Sequence, residues 1–303
     1  MSAPENPAHA AKAEKEARKC VKMARRYEVK RHRIAAELRI DPRFDVSAEI
    51  TRRTQFLMDY ARRAGAGSFV LGISGGVDSS VAGRLCQLAA EQLRSSGMPV
   101  RFIAMRLPYG VQADHADAQR ALTFIDPDET LAIDIKPAAD AMLAQLKVGG
   151  LTFNDQWQAD FVLGNIKARQ RMIAQYAVAG ATGGLVVGTD HAAEAVMGFF
   201  TKFGDGGFDL SPLGGLTKRR VRSMALALGG DEKLAYKVPT ADLETMRPLR
   251  PDEAVLGVSY DAIDDFLECR EIAPASAEAI LQTYRRTAHK RALPAVPAYQ
   301  RAA

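Results

Sequence analysis

Short, mostly apolar runs alternate along the chain with longer stretches in which apolar residues recur at helical spacing. The apolar runs occupy residues 69–73, 100–107, 131–135 and 185–187. Runs of that length predict buried β-strands, whereas the spacing across residues 157–179 predicts a long helix. Strands that alternate with helices predict an α/β protein with a parallel sheet that is covered on both faces by helices.

The N-terminal part of the chain differs from the rest in composition. Residues 1–45 are rich in alanine, lysine and arginine, and we predict a basic extension there that is helical or partly disordered. One globular domain is expected over residues 46–303, and it opens with an amphipathic helix at residues 46–64. Residues 1–33 carry ten Lys or Arg against four acidic residues, a net charge of +6, while the whole chain carries +5. The excess charge therefore belongs to the extension, which is a solvated tail, an anchoring helix or an arm that contacts nucleic acid. Removal of residues 1–33 is expected to spare catalysis.

The composition also limits the compartment and the partners. The charged N-terminus lacks the apolar core of a secretory signal, and no uninterrupted apolar run approaches the ~18 residues of a membrane span. The three cysteines, Cys20, Cys86 and Cys269, are isolated and form neither a metal-binding pattern nor a disulfide framework. We therefore predict a cytoplasmic protein with no membrane partner and, because the body of the chain is nearly neutral, no nucleic-acid partner.

One glycine-rich loop carries the strongest chemical signal. Ser74-Gly75-Gly76-Val77-Asp78-Ser79-Ser80 joins the first predicted strand to a helix. Adjacent glycines let the backbone approach a phosphate, and the N–H groups at the start of the next helix favour an anion. The serine hydroxyls add hydrogen-bond donors, and Asp78 is a candidate ligand for Mg²⁺. The lysine that ends a Walker loop is absent, which disfavours transfer of a γ-phosphoryl group.

Other polar motifs follow the predicted strands at their carboxyl ends, where parallel sheets bind ligands. Residues 106–110 follow the second strand, and residues 188–191 follow the fourth. Glycines are frequent in residues 204–215, a loop that is too long for a simple connection and is typical of a functional or a disordered segment. We expect these segments to meet the glycine-rich loop at one edge of the sheet.

Taken in order, the motifs resemble those of the ammonia-dependent NAD synthetases, a family of ATP pyrophosphatases. The resemblance covers residues 46–294 and rests on SGGVDSS, RLPYGVQAD, GNIKARQRM, VVGTDHAAEA, GFFTKFGDGGFDLSPL, LTKRRVR, VPTADL and TAHKR. It implies a Rossmann-like fold of the adenine nucleotide α-hydrolase kind and a homodimer. It also implies that ATP adenylates deamido-NAD with release of pyrophosphate, after which ammonia displaces AMP to give NAD. The residues that precede the resemblance are too few for the amidase domain of glutamine-dependent relatives, so ammonia is the expected nitrogen donor.

The resemblance also implies a role for individual residues. Asp78 and Glu194 are the implied Mg²⁺ ligands, Lys218 neutralises phosphate charge, and Asp205 lies beside ammonia, so Asp78, Lys218 and Asp205 are the implied catalytic residues. The positions implied for ATP are Gly72, Ile73, Ser74, Gly75, Gly76, Val77, Asp78, Ser79, Arg106, Gln112, Thr189, Lys218 and Thr240. Those implied for deamido-NAD are Arg169, Lys202, Asp209, His289 and Lys290. Val77 departs from the family pattern, which often has glutamine at this position.

Two other functions stay open at this point. Another PP-loop adenylating enzyme, such as a tRNA-modifying ATP pyrophosphatase, would share the loop, but the sulfur-handling ones need paired cysteines and the tRNA-handling ones usually carry a basic domain. A regulatory module that binds ATP without turnover is the second alternative. The presence of both Asp78 and Glu194 argues against it, because binding alone does not require a pair of metal ligands.

Overall fold

Four parallel strands form one sheet in the order β3–β2–β1–β4. The computed structural model describes residues 27–110, 115–240, 243–247 and 250–297. The strands are β1 (Ser68–Gly72), β2 (Arg101–Arg106), β3 (Glu129–Ala132) and β4 (Gly184–Val186). The chain adds β2 and β3 on one side of β1 and then returns to add β4 on the other side. This reversal creates a crevice at the carboxyl ends of β1 and β4, which is where such sheets bind ligands.

Helices connect the strands and continue beyond the sheet. The described chain begins with helical residues 27–37, which we call α1. The next six helices, of which the last follows β4, are α2 (Val46–Ala64), α3 (Val77–Ser95), α4 (His115–Ile125), α5 (Lys136–Val148), α6 (Gln156–Thr182) and α7 (Ala192–Met197). The later helices are α8 (Lys218–Ala227), α9 (Glu232–Ala235), α10 (Asp252–Leu256), α11 (Tyr260–Leu267), α12 (Pro274–Arg286) and α13 (Ala288–Arg291). Within the described ranges, no helix combines the length and the apolar character that a bilayer crossing requires.

Alternation along β1 explains why helices cover both faces of the sheet. Phe69 and Leu71 point to one side and pack in a cluster with residues of α2 and α3. Val70 points to the other side, where it packs with Ile103, Met105 and residues of α6. A strand that is buried on both faces requires a continuous apolar run, which is the pattern seen in the sequence. The predicted fold class is therefore confirmed.

A separate apolar cluster holds the C-terminal helices beside the carboxyl ends of the strands. Tyr260 and Phe266 of α11 and Ile280 of α12 are buried in it together with residues of α7. Because α7 follows β4 after a short turn, this cluster fixes the C-terminal helices next to the ligand-binding edge of the sheet.

Residues 27–40 pack on the same cluster, although they lie within the predicted extension. Ile34 is 3% exposed in this cluster, and Tyr284 of α12 donates a 2.6 Å hydrogen bond to Glu37. Removal of residues 1–33 would therefore cut into a packed helix, in contrast to the separate tail that the sequence suggested. The predicted domain boundary itself stays a prediction.

Candidate active site

A cavity of about 670 Å³ opens at the carboxyl ends of β1 and β4. Residues 72–74 and 187–189, which end or directly follow these strands, line the cavity together with parts of α3, α6, α7 and α8. Its position agrees with the expectation that the polar motifs meet at this edge of the sheet. The predicted site residues that line it are Gly72, Ile73, Ser74, Gly76, Val77, Asp78, Ser79, Thr189, Glu194, Asp205, Lys218, Thr240 and Lys290.

The glycine-rich loop presents the start of α3 to the cavity. Gly75 has a φ of +82°, and a Cβ atom at this position would lie 2.7 Å from the backbone nitrogen of Ala118, so the loop needs glycine here. Ser80 braces the loop through a 2.7 Å hydrogen bond to the carbonyl oxygen of Gly76. No side chain among the described residues caps the start of α3. The first N–H groups of this helix are therefore available to an anion.

Asp78, in the first turn of α3, faces His191 and Glu194 at the start of α7. One possible ligand atom from each of these three side chains lies within 4.8 Å of the others. Lys218 places its Nζ 2.6 Å from Oδ2 of Asp78. The other oxygen of this carboxylate, Oδ1, is buried and has no hydrogen-bond partner among the described residues. A buried acceptor without a partner is costly, and a bound cation would remove that cost.

Burial and neighbouring charges act differently on the two carboxyl groups. Burial raises the pKa of Glu194 well above its ordinary value, and the negative charge of Asp78 raises it further. Burial would also raise the pKa of Asp78, but the charge of Lys218 helps to hold that pKa below its ordinary value. Asp78 is therefore the anion of this pair, and Glu194 ionises most readily when a cation enters the cluster.

His191 is oriented by the helix that it precedes. Its Nδ1 accepts a 3.4 Å hydrogen bond from the backbone N–H of Glu194 at the start of α7. Burial lowers the pKa of His191 to about 3, so the ring is neutral at pH 7 and carries its proton on Nε2. Nε2 lies 3.5 Å from Oδ1 of Asp78 and 3.6 Å from Oε2 of Glu194. Nε2 therefore faces both carboxylates as a donor and, while protonated, has no lone pair to offer a metal. The carboxylate oxygens are the candidate ligands for a divalent cation.

Lys218 is positioned by α11. Asp264 accepts hydrogen bonds from the backbone N–H groups of Lys218 at 3.0 Å and of Arg219 at 2.7 Å. These bonds satisfy two donors at the start of α8 that have no partner within the helix. The Lys218 ammonium also lies 5.0 Å from the centre of the Tyr260 ring, a cation–π distance. One helix of the C-terminal cluster therefore fixes both the backbone and the side chain of this lysine.

Asp205 lies in the glycine-rich segment and lines the cavity. It accepts a 2.9 Å hydrogen bond from the backbone N–H of Thr201. Burial raises the pKa of Asp205, although the charge of Lys290 partly offsets this. Burial and the charge of Asp205 also raise the pKa of Asp190. This segment therefore places a carboxylate with an unusually high proton affinity next to the cavity.

Four of the five residues predicted to bind deamido-NAD form one connected group beside the cavity. Lys202 donates a 2.6 Å hydrogen bond from Nζ to the carbonyl oxygen of His289. Arg169 donates a 3.2 Å hydrogen bond to the carbonyl oxygen of Lys202. Lys290 follows His289 and itself lines the cavity. The group concentrates positive charge beside the cavity.

Three other predicted residues are not part of these groups. Asp209 accepts hydrogen bonds from the Val186 N–H at 2.8 Å and the Tyr176 hydroxyl at 3.1 Å, which attach its carboxylate to β4 and α6. Arg106 ends β2 and is not among the described residues that line the cavity. Gln112 lies outside the described residues.

Among the residues of the site, His191 and Lys237 were missed by the sequence reasoning. His191 stands between the threonine and the glutamate of a recognised motif, and that position was the only available signal. Lys237 lines the cavity and directly precedes the motif that contains Thr240. A lone lysine after a short helix has no pattern of its own, so only its proximity to that motif could have drawn attention to it.

Fold and site together define a class: an α/β protein whose parallel sheet presents a glycine-rich loop, a buried lysine and an acidic cluster to one cavity. A sequence profile described as NAD synthase matches residues 49–294. The chain therefore belongs to the NAD synthase family, as its motifs predicted.

Individual relatives agree with this assignment. The chain is 64% identical over 265 residues to an NH(3)-dependent NAD(+) synthetase of Burkholderia pseudomallei, which covers 88% of this chain and 93% of the relative. The crystal structure of NAD+ synthetase from Burkholderia pseudomallei matches with a TM-score of 0.78 and 62% identity, and covers 88% of this chain and 98% of its own. The structure of NMN synthetase from Francisella tularensis matches with a TM-score of 0.73 and 32% identity, and covers 85% of this chain and all of its own.

Proposed function

We propose that this chain is a ligase that uses ATP and ammonia to amidate deamido-NAD, with NAD, AMP and pyrophosphate as products. The observation that carries the proposal is that one cavity is lined by the glycine-rich loop, by Asp78 and Lys218, and by Asp205. The name of the relative that shares 64% of its residues supports the same activity.

The cavity suits the attack of a carboxylate on the α-phosphate of ATP. A carboxylate oxygen of deamido-NAD bonds to the α-phosphorus while the bond from that phosphorus to the pyrophosphate oxygen breaks, and the electron pair leaves with pyrophosphate. Two anions meet in this step, so the site must offset their repulsion. The N–H groups at the start of α3 and the ammonium of Lys218 lie where they can do so.

Mg²⁺ fits the acidic cluster as the metal that accompanies ATP. Oδ1 of Asp78 has no hydrogen-bond partner among the described residues, and Glu194 lies beside it, so two hard carboxylate ligands converge on one point. When bound there, Mg²⁺ neutralises phosphate charge and polarises the phosphoryl group. Lys218 holds the second oxygen of Asp78, while Nε2 of His191 lies 3.5 Å from Oδ1 of Asp78 and 3.6 Å from Oε2 of Glu194.

Asp205 is proposed to serve the second step. Ammonia attacks the carbonyl carbon of the acyl-adenylate, the carbon–oxygen bond to AMP breaks, and the surplus proton of the new amide nitrogen passes to a base. Burial raises the pKa of Asp205, which makes its carboxylate a better proton acceptor near neutral pH. The same carboxylate can hold ammonium before the proton is lost.

Deamido-NAD is proposed to bind where Arg169, Lys202, His289 and Lys290 adjoin the cavity, because its diphosphate needs positive charge. Asp209 stays a prediction, since hydrogen bonds from β4 and α6 already engage its carboxylate. Arg106 and Gln112 likewise stay predictions for the adenosine of ATP.

We propose a homodimer because α5, α6 and the segment that connects them expose large apolar side chains. Phe161 of α6 is 60% exposed and also lines the cavity, so an interface on this surface would border the site. The other exposed apolar residues of this surface are Met142, Val148, Leu151, Trp157, Ile173 and Tyr176. A second copy of the chain would cover them, as exposed apolar patches usually require.

The products made with different nitrogen donors test the proposed function. Purified protein is incubated with ATP, Mg²⁺ and deamido-NAD, with either ammonium or glutamine as donor. We expect NAD, AMP and pyrophosphate with ammonium and little NAD with glutamine. ADP and phosphate would contradict adenylation, and pyrophosphate release without NAD formation would favour another adenylating enzyme.

The same assay separates two possible acceptors. The match to an NMN synthetase makes the mononucleotide acid that corresponds to NMN the appropriate competitor. We expect the dinucleotide to have the higher kcat/KM, because the cationic group beside the cavity offers charge for a second phosphate. A higher kcat/KM for the mononucleotide would contradict the assignment of deamido-NAD as the substrate, but it would not contradict adenylation followed by amidation.

A further inference from the structure

Lys237 turns back over the phosphate-binding loop instead of extending into solvent. It lies just after α9, and its side chain is only 23% exposed. Its Nζ lies 2.8 Å from a carboxylate oxygen of Asp117 in α4 and 3.4 Å from the carbonyl oxygen of Gly75 in the loop. The side chain lines the same cavity as Ser74, Gly76 and Lys218. A lysine that served only solubility would have no reason to adopt this position.

The partners of Lys237 are themselves fixed relative to the loop. Gly75 packs so closely on α4 that a Cβ atom would lie 2.9 Å from the carbonyl carbon of Asp117. The first turn of α4 and the loop therefore form one unit. The hydrogen bond from Lys237 lowers the pKa of Asp117, so this carboxyl is a stable anion at neutral pH. Asp117 thus holds the ammonium of Lys237 at the Gly75 end of the loop.

Lys218 and Lys237 lie at different ends of the loop. Lys218 is engaged with Asp78 at 2.6 Å, beside the proposed metal ligands. Lys237 lies at the other end, where its ammonium forms one short bond to Asp117 and one long contact to the loop. An ammonium group has three donors, so it keeps hydrogen-bonding capacity for a ligand. During adenylation, pyrophosphate gains the electron pair of the broken bond, and a cation at this end would offset that charge.

We propose that Lys237 binds the β- and γ-phosphates of ATP and the pyrophosphate that leaves, and that Asp117 acts as its positioning residue. The proposal rests on the proposed function, because it assigns Lys237 to the leaving group of that reaction. It divides the positive charge of the site into a metal side, served by Lys218, and a leaving-group side, served by Lys237.

The test uses inorganic pyrophosphate as the probe. Lys237→Met keeps an unbranched side chain but removes the charge, and Lys233→Met removes an exposed lysine of α9 as the matched control. Inhibition of NAD formation by pyrophosphate and exchange of labelled pyrophosphate into ATP are both measured. Lys237→Met is expected to weaken pyrophosphate inhibition about 10- to 100-fold, as for the loss of one hydrogen bond to a charged group. KM for ATP should rise, KM for deamido-NAD should stay unchanged, and Lys233→Met should match the wild type.

Asp117→Asn distinguishes positioning from simple bracing of the fold. It should weaken pyrophosphate inhibition in the same direction but less, because the lysine charge remains. If Lys237→Met and Asp117→Asn lowered the melting temperature but left pyrophosphate inhibition at the wild-type value, the pair would be structural and the proposal wrong. Equal losses in Lys233→Met would also overturn it. Failure of the wild type to exchange pyrophosphate into ATP would instead refute the proposed function itself.

Discussion

At the scale of single residues, the two oxygens of Asp78 have different partners and therefore different tasks. Oδ2 pairs with Lys218 at 2.6 Å, which keeps the carboxyl ionised. Oδ1 faces Glu194 and His191 without a hydrogen bond among the described residues. Because burial raises the pKa of Glu194, ionisation of this second carboxyl and entry of a metal ion should stabilise one another.

Glu194→Gln should therefore abolish most of the adenylation while preserving the fold. The change keeps the shape of the side chain but removes an anionic ligand, and losing one preorganised electrostatic group commonly costs about 10²–10³ in rate. Exchange of pyrophosphate into ATP at saturating Mg²⁺ measures this step. Glu232→Gln, on the exposed side of α9, is the matched control and should behave as wild type. Near-normal exchange by Glu194→Gln would show that Glu194 is not a metal ligand.

Asp205→Asn should spare the first step and slow the second. The asparagine side-chain oxygen can still accept the hydrogen bond from Thr201, but the amide cannot take up a proton from ammonia. We expect pyrophosphate–ATP exchange close to the wild-type value and a rate of NAD formation at least ~10²-fold lower. A parallel fall in exchange and in NAD formation would place Asp205 in substrate binding or folding.

Motif context decided which of these residues could be predicted from the sequence. Asp78, Glu194 and Lys218 each stand in a recognisable motif, and the structure brings them together as expected. Asp264 and Tyr260 support Lys218 from α11, more than 40 positions along the chain. Contacts of this kind depend on tertiary packing and leave no pattern in the local sequence, so they could not be predicted.

At the scale of elements, burial decided which segments the hydrophobic pattern could reveal. β1 and β2 are buried and were predicted closely. Of the two edge strands, β4 was also predicted closely and contains the buried Val186, whereas β3 has no fully buried residue and begins earlier than expected. Asp134 was predicted inside that strand, but its carboxylate accepts the backbone N–H groups of Gly110 and Lys136 and so marks the turn into α5. α5 itself was not predicted, because Ala139 is its only fully buried residue and the apolar periodicity is therefore weak.

The packing of α1 predicts that part of the N-terminal extension stabilises the protein. Ile34 is 3% exposed, so Ile34→Ala should lower the free energy of unfolding by about 2–5 kcal/mol. Val29, on the same helix, is 69% exposed, and Val29→Ala should change it by no more than ~0.5 kcal/mol. Chemical denaturation measures both variants. Equal stability of the two would show that α1 is not packed in solution.

At the scale of the whole molecule, the two faces of the sheet differ in what covers them. The face with α2 and α3 is closed by a large apolar cluster. The opposite face is covered by α6, against which α5 packs, and these two helices expose several large apolar side chains. Because the cavity shares Phe161 with that surface, assembly and substrate binding are expected to be linked.

Disruption of this surface should therefore convert the proposed dimer into monomers. Ile173 of α6 is 52% exposed, and Ile173→Glu would place a charge within the proposed interface, where it could not be solvated. Leu226 of α8 is 39% exposed on the other side of the molecule, so Leu226→Glu is the matched control. Sedimentation velocity should show monomers for Ile173→Glu and dimers for Leu226→Glu and the wild type. Dimers in all three would place the interface elsewhere.

The central claim is that a carboxylate oxygen of deamido-NAD attacks the α-phosphorus of ATP, and that ammonia then attacks the carboxyl carbon and displaces AMP, which keeps that oxygen. Isotope transfer tests this directly, with deamido-NAD that carries ¹⁸O in both carboxylate oxygens and with mass spectrometry of the products. An acyl-adenylate leaves one labelled oxygen in the phosphate of AMP and the other in the amide of NAD. We expect this distribution at every turnover. Unlabelled AMP, or label in free phosphate or in pyrophosphate, would contradict the assigned chemistry.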